Sequence, residues 1–138
     1  MPGSEPPRFF LDRSLNGKSI AAALRDGGFD AVTMADMYGE QAGQLIRDEQ
    51  WISEATAAGL VLLHKDKQVR YRFVEKQAML DSGARSFALA NGNLTSGVMV
   101  AWYVNNLPAI LAAIARRGNV PFFYNVYADE IKPKRLEP

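Results

Sequence analysis

At 138 residues the chain is sized for one domain with a single core, able to bury about two thirds of its unfolded surface without staples. Hydrophobic residues at 48% and charged residues at 22% exclude a disordered or collagen-like chain, and sixteen basic against fifteen acidic side chains leave +1, so any pull on nucleic acid must come from local patches. The absence of cysteine excludes disulfides, thiolate zinc sites and iron–sulfur clusters, and with one histidine a metal would have to be held by oxygen ligands.

Residues 1–7, rich in Pro and Gly, form a lead that cannot fill a core and has neither the cationic start nor the apolar run of a secretory signal. Arg8-Phe9-Phe10-Leu11-Asp12 reads as a first strand buried on both faces and ended by a carboxylate. Ser14-Leu15-Asn16-Gly17 turns the chain into a helix from Lys18, in which Ile20, Ala21, Ala23 and Leu24 recur at helical spacing and which Gly27-Gly28 stops. Phe29 to Ala35 gives the second strand. Met37 to Arg47 is ambiguous, a weak helical pattern interrupted by Gly39 and Gly43. Asp48 is read as the N-cap of a helix from Glu49 to Ala58 that buries Trp51, Ile52 and Ala55.

Leu60-Val61-Leu62-Leu63-His64 is the third strand, wholly apolar to its last residue and followed by Asp66. A helix with Val74, Ala78, Met79 and Leu80 ends near Ser82-Gly83, and Arg85 to Ala90 is the fourth strand. Thr95 or Ser96 caps one long last helix, bent at Pro108, in which Val100, Val104, Leu107, Leu111 and Ile114 recur. Phe122 to Ala128 alternates like a fifth strand at a sheet edge, and residues 131–138 read as a loose charged tail. The longest apolar stretch, Leu107 to Ala115, falls far short of the about 20 residues of a membrane span, so the expectation is a cytoplasmic protein that needs no membrane.

Strands alternating with helices call for an α/β fold with a mostly parallel sheet, helices on both sides and chemistry at the strand C-termini. Asp12 ends the first strand and Asp66 lies two residues past the third, so a parallel sheet brings both to one edge. Asp48, with Glu49 beside it, and Asp36 after the second strand can also reach that edge. Taken singly, Asp48 is a capping residue and the others turn residues. Gathered together, carboxylates repel unless a cation neutralises them, and the hard ions that suit oxygen ligands are magnesium and manganese. Such a cluster suits phosphodiester hydrolysis without a protein nucleophile.

The runs Phe9-Phe10-Leu11-Asp12-Arg13-Ser14-Leu15, Gly28-Phe29-Asp30-Ala31-Val32, Asp48-Glu49-Gln50-Trp51 and Val61-Leu62-Leu63-His64-Lys65-Asp66-Lys67 resemble the successive motifs of the PIN-like ribonuclease superfamily, and within it the short group that includes VapC-type toxins. The likeness continues through Gly92-Asn93-Leu94 and Leu107-Pro108. It implies a Rossmann-like three-layer α/β/α sandwich over residues 8–130 and a Mg2+- or Mn2+-dependent endoribonuclease cutting single-stranded RNA, commonly the toxin of a toxin–antitoxin pair. The implied catalytic acids are Asp12, Asp48 or Glu49, and Asp66, with Asp12, Asp48 and Asp66 as metal ligands. Two departures stand out. Arg13 occupies a position where this group usually has glutamate, and Asn91 and Asn93 stand where many of these nucleases supply a further acid. Both favour an alternative, a catalytically impaired RNA- or protein-binding module. A receiver-like phosphoacceptor domain is disfavoured, because the first strand carries no acidic pair.

Lys65, Lys67, Arg70, Arg72 and Lys76 crowd around Asp66, interleaved with Tyr71 and Phe73. A phosphate backbone would meet the cations, with Tyr71 placed to stack on an unpaired base; otherwise the run is a solvated face. His64 reads as a structural hydrogen-bonding residue, and Trp51 and Trp102 as core or interface. The last helix is apolar over more than one side, through Val98, Met99, Trp102 and Tyr103, which suggests a homodimer.

Overall fold

The computed structural model describes residues 6–15 and 18–136. Residues 1–5 of the lead, Asn16 and Gly17 of the expected turn, and 137–138 of the tail lie outside the described residues. In chain order come β1 (Arg8–Leu11), a 3-10 turn at Arg13–Leu15, α1 (Lys18–Asp26), β2 (Asp30–Val32), α2 (Met34–Tyr38), α3 (Glu40–Leu45) and α4 (Asp48–Ala57). Then follow β3 (Leu60–His64), a second 3-10 turn at Lys67–Tyr71, α5 (Phe73–Ser82), β4 (Arg85–Leu89), α6 (Ser96–Asn105), α7 (Leu107–Arg117), β5 (Phe122–Val126) and β6 (Ile131–Lys134).

The strands form one sheet in the order β2-β1-β3-β4-β5-β6, parallel except for β6. Wholly apolar strands are stable here because helices cover both faces. On one face Phe9, Leu11, Val61, Leu63, Phe87 and Tyr124 pack against α1, α6 and α7; on the other Phe10, Leu62, Ala88 and Phe123 pack against α2, α4 and α5. Each fully buried Phe or Leu contributes roughly 1.5–3 kcal/mol. The chain leaves β1 toward β2 on one side and later returns as β3 on the other, which opens a crevice at the carboxyl ends of β1 and β3.

Several details differ from the sequence reading. The expected strand Phe29 to Ala35 shortens to β2, and the chain from Met34 to Leu45 forms the two short helices α2 and α3, hinged at Gly39 with φ of 85°, where Gly43 packs so closely on Met34 that a Cβ would stand 3.2 Å from its carbonyl oxygen. The last helix is two helices, α6 and α7, bent by 54°; the Asn106 amide between them donates to the carbonyls of Trp102 at 2.8 Å and Tyr127 at 2.6 Å, and Pro108 sits in the first turn of α7. β5 is no edge, since all five of its residues are buried. The segment read as a loose tail supplies the edge instead, as β6, whose Lys132, Pro133 and Lys134 suit a strand with one open side. Among the described residues no single helix is long and apolar enough to cross a membrane.

Candidate active site

Asp12 is the first residue past β1, and its backbone N–H donates to the Leu63 carbonyl at 2.9 Å, carrying the β1–β3 ladder one step beyond the strand. Its carboxylate is mostly buried, 17% exposed, with Oδ2 3.5 Å from His64 Nδ1. Arg13, next along, turns toward α3 and α4. Its guanidinium donates to the carbonyls of Gly43 at 3.2 Å and Ile46 at 2.5 Å, while Nη1 lies 3.6 Å from Asp48 Oδ1. Asp48 is not the N-cap: Arg47 holds that place and Asp48 opens the helix proper, where an acid complements the helix dipole. Its Oδ1 accepts from Trp51 Nε1 at 2.9 Å, and the Trp51 ring stacks on Phe10 of β1 with centroids 5.2 Å apart. A buried indole thus fixes the carboxylate. Asp12, Arg13 and Asp48 line one cavity of about 230 Å³ with Trp51, Val69, Arg72 and Glu75.

The floor of the site is tied to the opposite helical layer. Tyr103 of α6 is buried and its hydroxyl donates to the His64 carbonyl at 2.6 Å, with the Phe87 carbonyl at 3.3 Å. Burial, and next the negative charge of Asp12, push this phenol well above its ordinary pKa, so it stays a neutral donor.

A family model described as "PIN like domain" matches residues 7–91, the stretch that runs from β1 through β4 and contains every wall of this cavity. The chain belongs to the PIN-like domain family. A protein of Mycobacterium tuberculosis named "Putative ribonuclease VapC45" is 36% identical over 122 residues, covering 88% of this chain and 87% of that one. No solved structure matches the chain. The six-stranded sheet with helices on both faces is the α/β arrangement expected of the family.

The remaining acids of this PIN-like domain have other neighbours. Asp66 stands at the same sheet edge as Asp12, one strand over, but it caps the second 3-10 turn, Oδ1 accepting from the Gln68 N–H at 2.9 Å, and it does not line the cavity. Its Oδ2 lies against Gly92, where a Cβ would come within 2.6 Å. Glu49 turns outward, accepting from Arg47 at 2.6 Å; its own backbone N–H and then Arg47 hold its carboxyl below the usual range. Asp36 closes a capping box with Thr33 and pairs with Arg25 at 2.9 Å. Glu75, in the first turn of α5, is the acid that sequence reasoning missed. Its only signal is that it falls three residues after Arg72, in the turn with which α5 starts at the sheet edge.

Of the basic residues, Arg72 lines the cavity. Arg70 is committed within the protein: it donates to the Arg135 carbonyl at 3.0 Å and to the Tyr71 hydroxyl, and its guanidinium lies 4.3 Å from the Tyr71 ring centre. Lys65 and Lys67 are half-buried, while Tyr71 and Phe73 are exposed at 60% and 73%, an aromatic pair bracketing Arg72.

Among the described residues no group of three or more His, Asp or Glu is placed to hold a metal ion, so Asp12, Asp48 and Asp66 do not form the expected triple cluster. The pair Asp12 and Asp48 on one cavity still fits a hard cation, which commonly takes one or two protein carboxylates and completes its shell with water and phosphate oxygens.

Proposed function

We propose that this PIN-like domain is an endoribonuclease that cuts unpaired RNA with one magnesium or manganese ion, acting in the cytoplasm as the toxin of a toxin–antitoxin pair. The observation that carries the reading is that Asp12 and Asp48 share one cavity at the carboxyl edge of a parallel sheet. The relative's name, a ribonuclease, supports the same class.

Asp12 and Asp48 would hold the ion, which when bound supplies Lewis acidity for attack of water on the phosphodiester. Trp51 and Arg13 keep Asp48 turned toward the cavity. Arg72 offers a fork for the phosphate oxygens. Phe73, and the face of Tyr71 that Arg70 leaves uncovered, offer surfaces on which unpaired bases stack, a mode that suits single strands and not duplex RNA. Glu75 lies on the same cavity as Asp12 and is placed to take or return a proton. Asp66 shapes the adjoining turn. Val98 and Val104, exposed on the apolar helix α6, are the face through which we propose a second copy pairs.

The test is cleavage of a fluorogenic single-stranded RNA by metal-stripped protein with manganese added back. The expected result is manganese-dependent cutting that Asp12→Asn abolishes with the melting curve unchanged; equal cutting by wild type and Asp12→Asn would overturn the assignment. One observation favours a second reading, a PIN-like RNA-binding module without turnover: the Arg13 guanidinium already stands beside Asp48. RNA binding with no cleavage at any manganese concentration would select it.

A further inference from the structure

Parallel strands in register point matching residues to the same face. Leu11 of β1 pairs with Leu63 of β3, His64 with Ala88 of β4, and Ala88 with Asn125 of β5. The next step of that register puts Asp12 beside His64, so Asp12, His64, Ala88 and Asn125 make the last row of the sheet on the face covered by α4 and α5. The row beneath it on this face, Phe10, Leu62, Ser86 and Phe123, is apolar but for one hydroxyl. The last row alternates a carboxylate, an imidazole, a methyl and an amide.

Its polar members are deeply placed. His64 is 0% exposed and Asn125 3%. Neither ring nitrogen of His64, nor Asn125 Oδ1, has a hydrogen-bond partner among the described residues. The imidazole is wedged between Trp51, with ring centres 5.7 Å apart, and Phe123, stacked at 6.2 Å and 22°. Its polar edge is therefore confined to the plane of the row, with Nδ1 3.5 Å from Asp12 Oδ2. A leucine would fill this slot at less cost than an imidazole with two unsatisfied nitrogens, each worth about 1–3 kcal/mol when unpaired. Something other than packing is served by a histidine here.

We propose that His64 is a positioning residue for Asp12: its ring carries a proton on Nδ1 that faces the carboxylate and sets the rotamer in which Asp12 presents its other oxygen to the cavity. Contacts of this kind are often long in a resting site and shorten in the working one. Trp51 makes the device coherent, since one indole donates to Asp48 and clamps the ring that faces Asp12. The Tyr103 hydrogen bond to the His64 carbonyl fixes the backbone beneath. Ala88, the small residue of the row, stands in register between His64 and Asn125.

The catalytic consequence rests on the endoribonuclease reading, but the geometry can be tested apart from it. His64 is the single histidine of the chain, so its ring nitrogens give one unambiguous set of resonances in 15N-labelled protein. A proton on Nδ1, with shifts that move when Asp12→Asn is introduced, is the expected result. A ring protonated on Nε2 alone, or a spectrum indifferent to Asp12→Asn, overturns the proposal whether or not the protein cuts RNA.

The functional arm compares His64→Leu with His64→Asn, whose Nδ2 amide stands in for the imidazole Nδ1 and can still donate toward Asp12. His64→Leu should lower kcat by about 10–100-fold, the usual cost of removing a residue that orients a ligand, at unchanged KM. His64→Asn should recover most of that loss. Wild-type kcat in His64→Leu, or equal losses in both variants at matched melting temperature, would reduce His64 to a packing residue. Should the wild type itself fail to cut, the endoribonuclease reading falls and the nitrogen spectrum alone decides the positioning claim.

Discussion

Arg13 faces Asp48 across 3.6 Å while its other nitrogens are hydrogen-bonded to the carbonyls of Gly43 and Ile46. One guanidinium therefore fastens the end of β1 to α3 and to the start of α4. The ion pair is more than a third exposed on both sides, so it contributes little by itself. The two carbonyl contacts matter more, and a lysine has no fork to make both. Arg13→Lys should lower stability by about 1–2 kcal/mol in urea unfolding. An unchanged midpoint would mean that these contacts do not hold the α3–α4 connection.

Gly92 bears on the part played by Asp66. An alanine there puts its Cβ 2.6 Å from Asp66 Oδ2, so the carboxylate must swing away. Because the atom displaced is the end of a side chain, Gly92→Ala should melt within a few degrees of wild type. If Asp66 only caps the Lys67–Tyr71 turn, RNA cleavage should persist; a loss as deep as that of Asp12→Asn would return Asp66 to the chemistry.

The Thr33–Asp36 capping box gives a pH signature. The backbone N–H of Thr33, chiefly, and then the Thr33 hydroxyl and Arg25 hold the Asp36 carboxyl below its ordinary value. A carboxyl depressed in the folded state contributes stability above its unfolded pKa, about 3.9, and loses it as pH falls through the folded one. Asp36→Ala should therefore cost about 0.5 kcal/mol near pH 6, the low end for loss of a cap, because the carboxylate is half exposed and screened. The difference from wild type should shrink below about pH 4. Denaturant titrations of both proteins at the two pH values decide the point.

Pairing through α6 is read from mass in solution. Light scattering should return twice the 15.2 kDa of the chain at micromolar protein, and Val104→Asp, changing a side chain 42% exposed, should return the single mass. A wild-type particle of 15.2 kDa removes the dimer.

Much of the fold was legible because its decisive segments carry local signals. Phe9-Phe10-Leu11 and Leu60-Val61-Leu62-Leu63 are apolar without alternation, and only a strand covered on both faces accommodates that. Asp12 was legible for the same reason, as the first charge after such a run. What escaped reading depends on distant partners. The break at Asn106 is made by an amide reaching a carbonyl of the Tyr127 loop, while the apolar repeat runs on across it. β6 hides behind lysines and a proline, which an edge strand tolerates and a central one would not. Glu75 joins Asp12 and Asp48 only because α5 starts at the cavity, and nothing in its sequence beyond its spacing from Arg72 announces that.

Arg70, which reads as a phosphate ligand, instead grips the carbonyl of Arg135 just beyond β6. The segment between Asp66 and Arg72 is thereby moored to the far end of the described chain. Trimming the polypeptide back to Val126, or fusing bulk onto its end, would reach Tyr71 and Phe73 through this mooring, so the placement of an affinity tag is itself a variable in any assay of the protein.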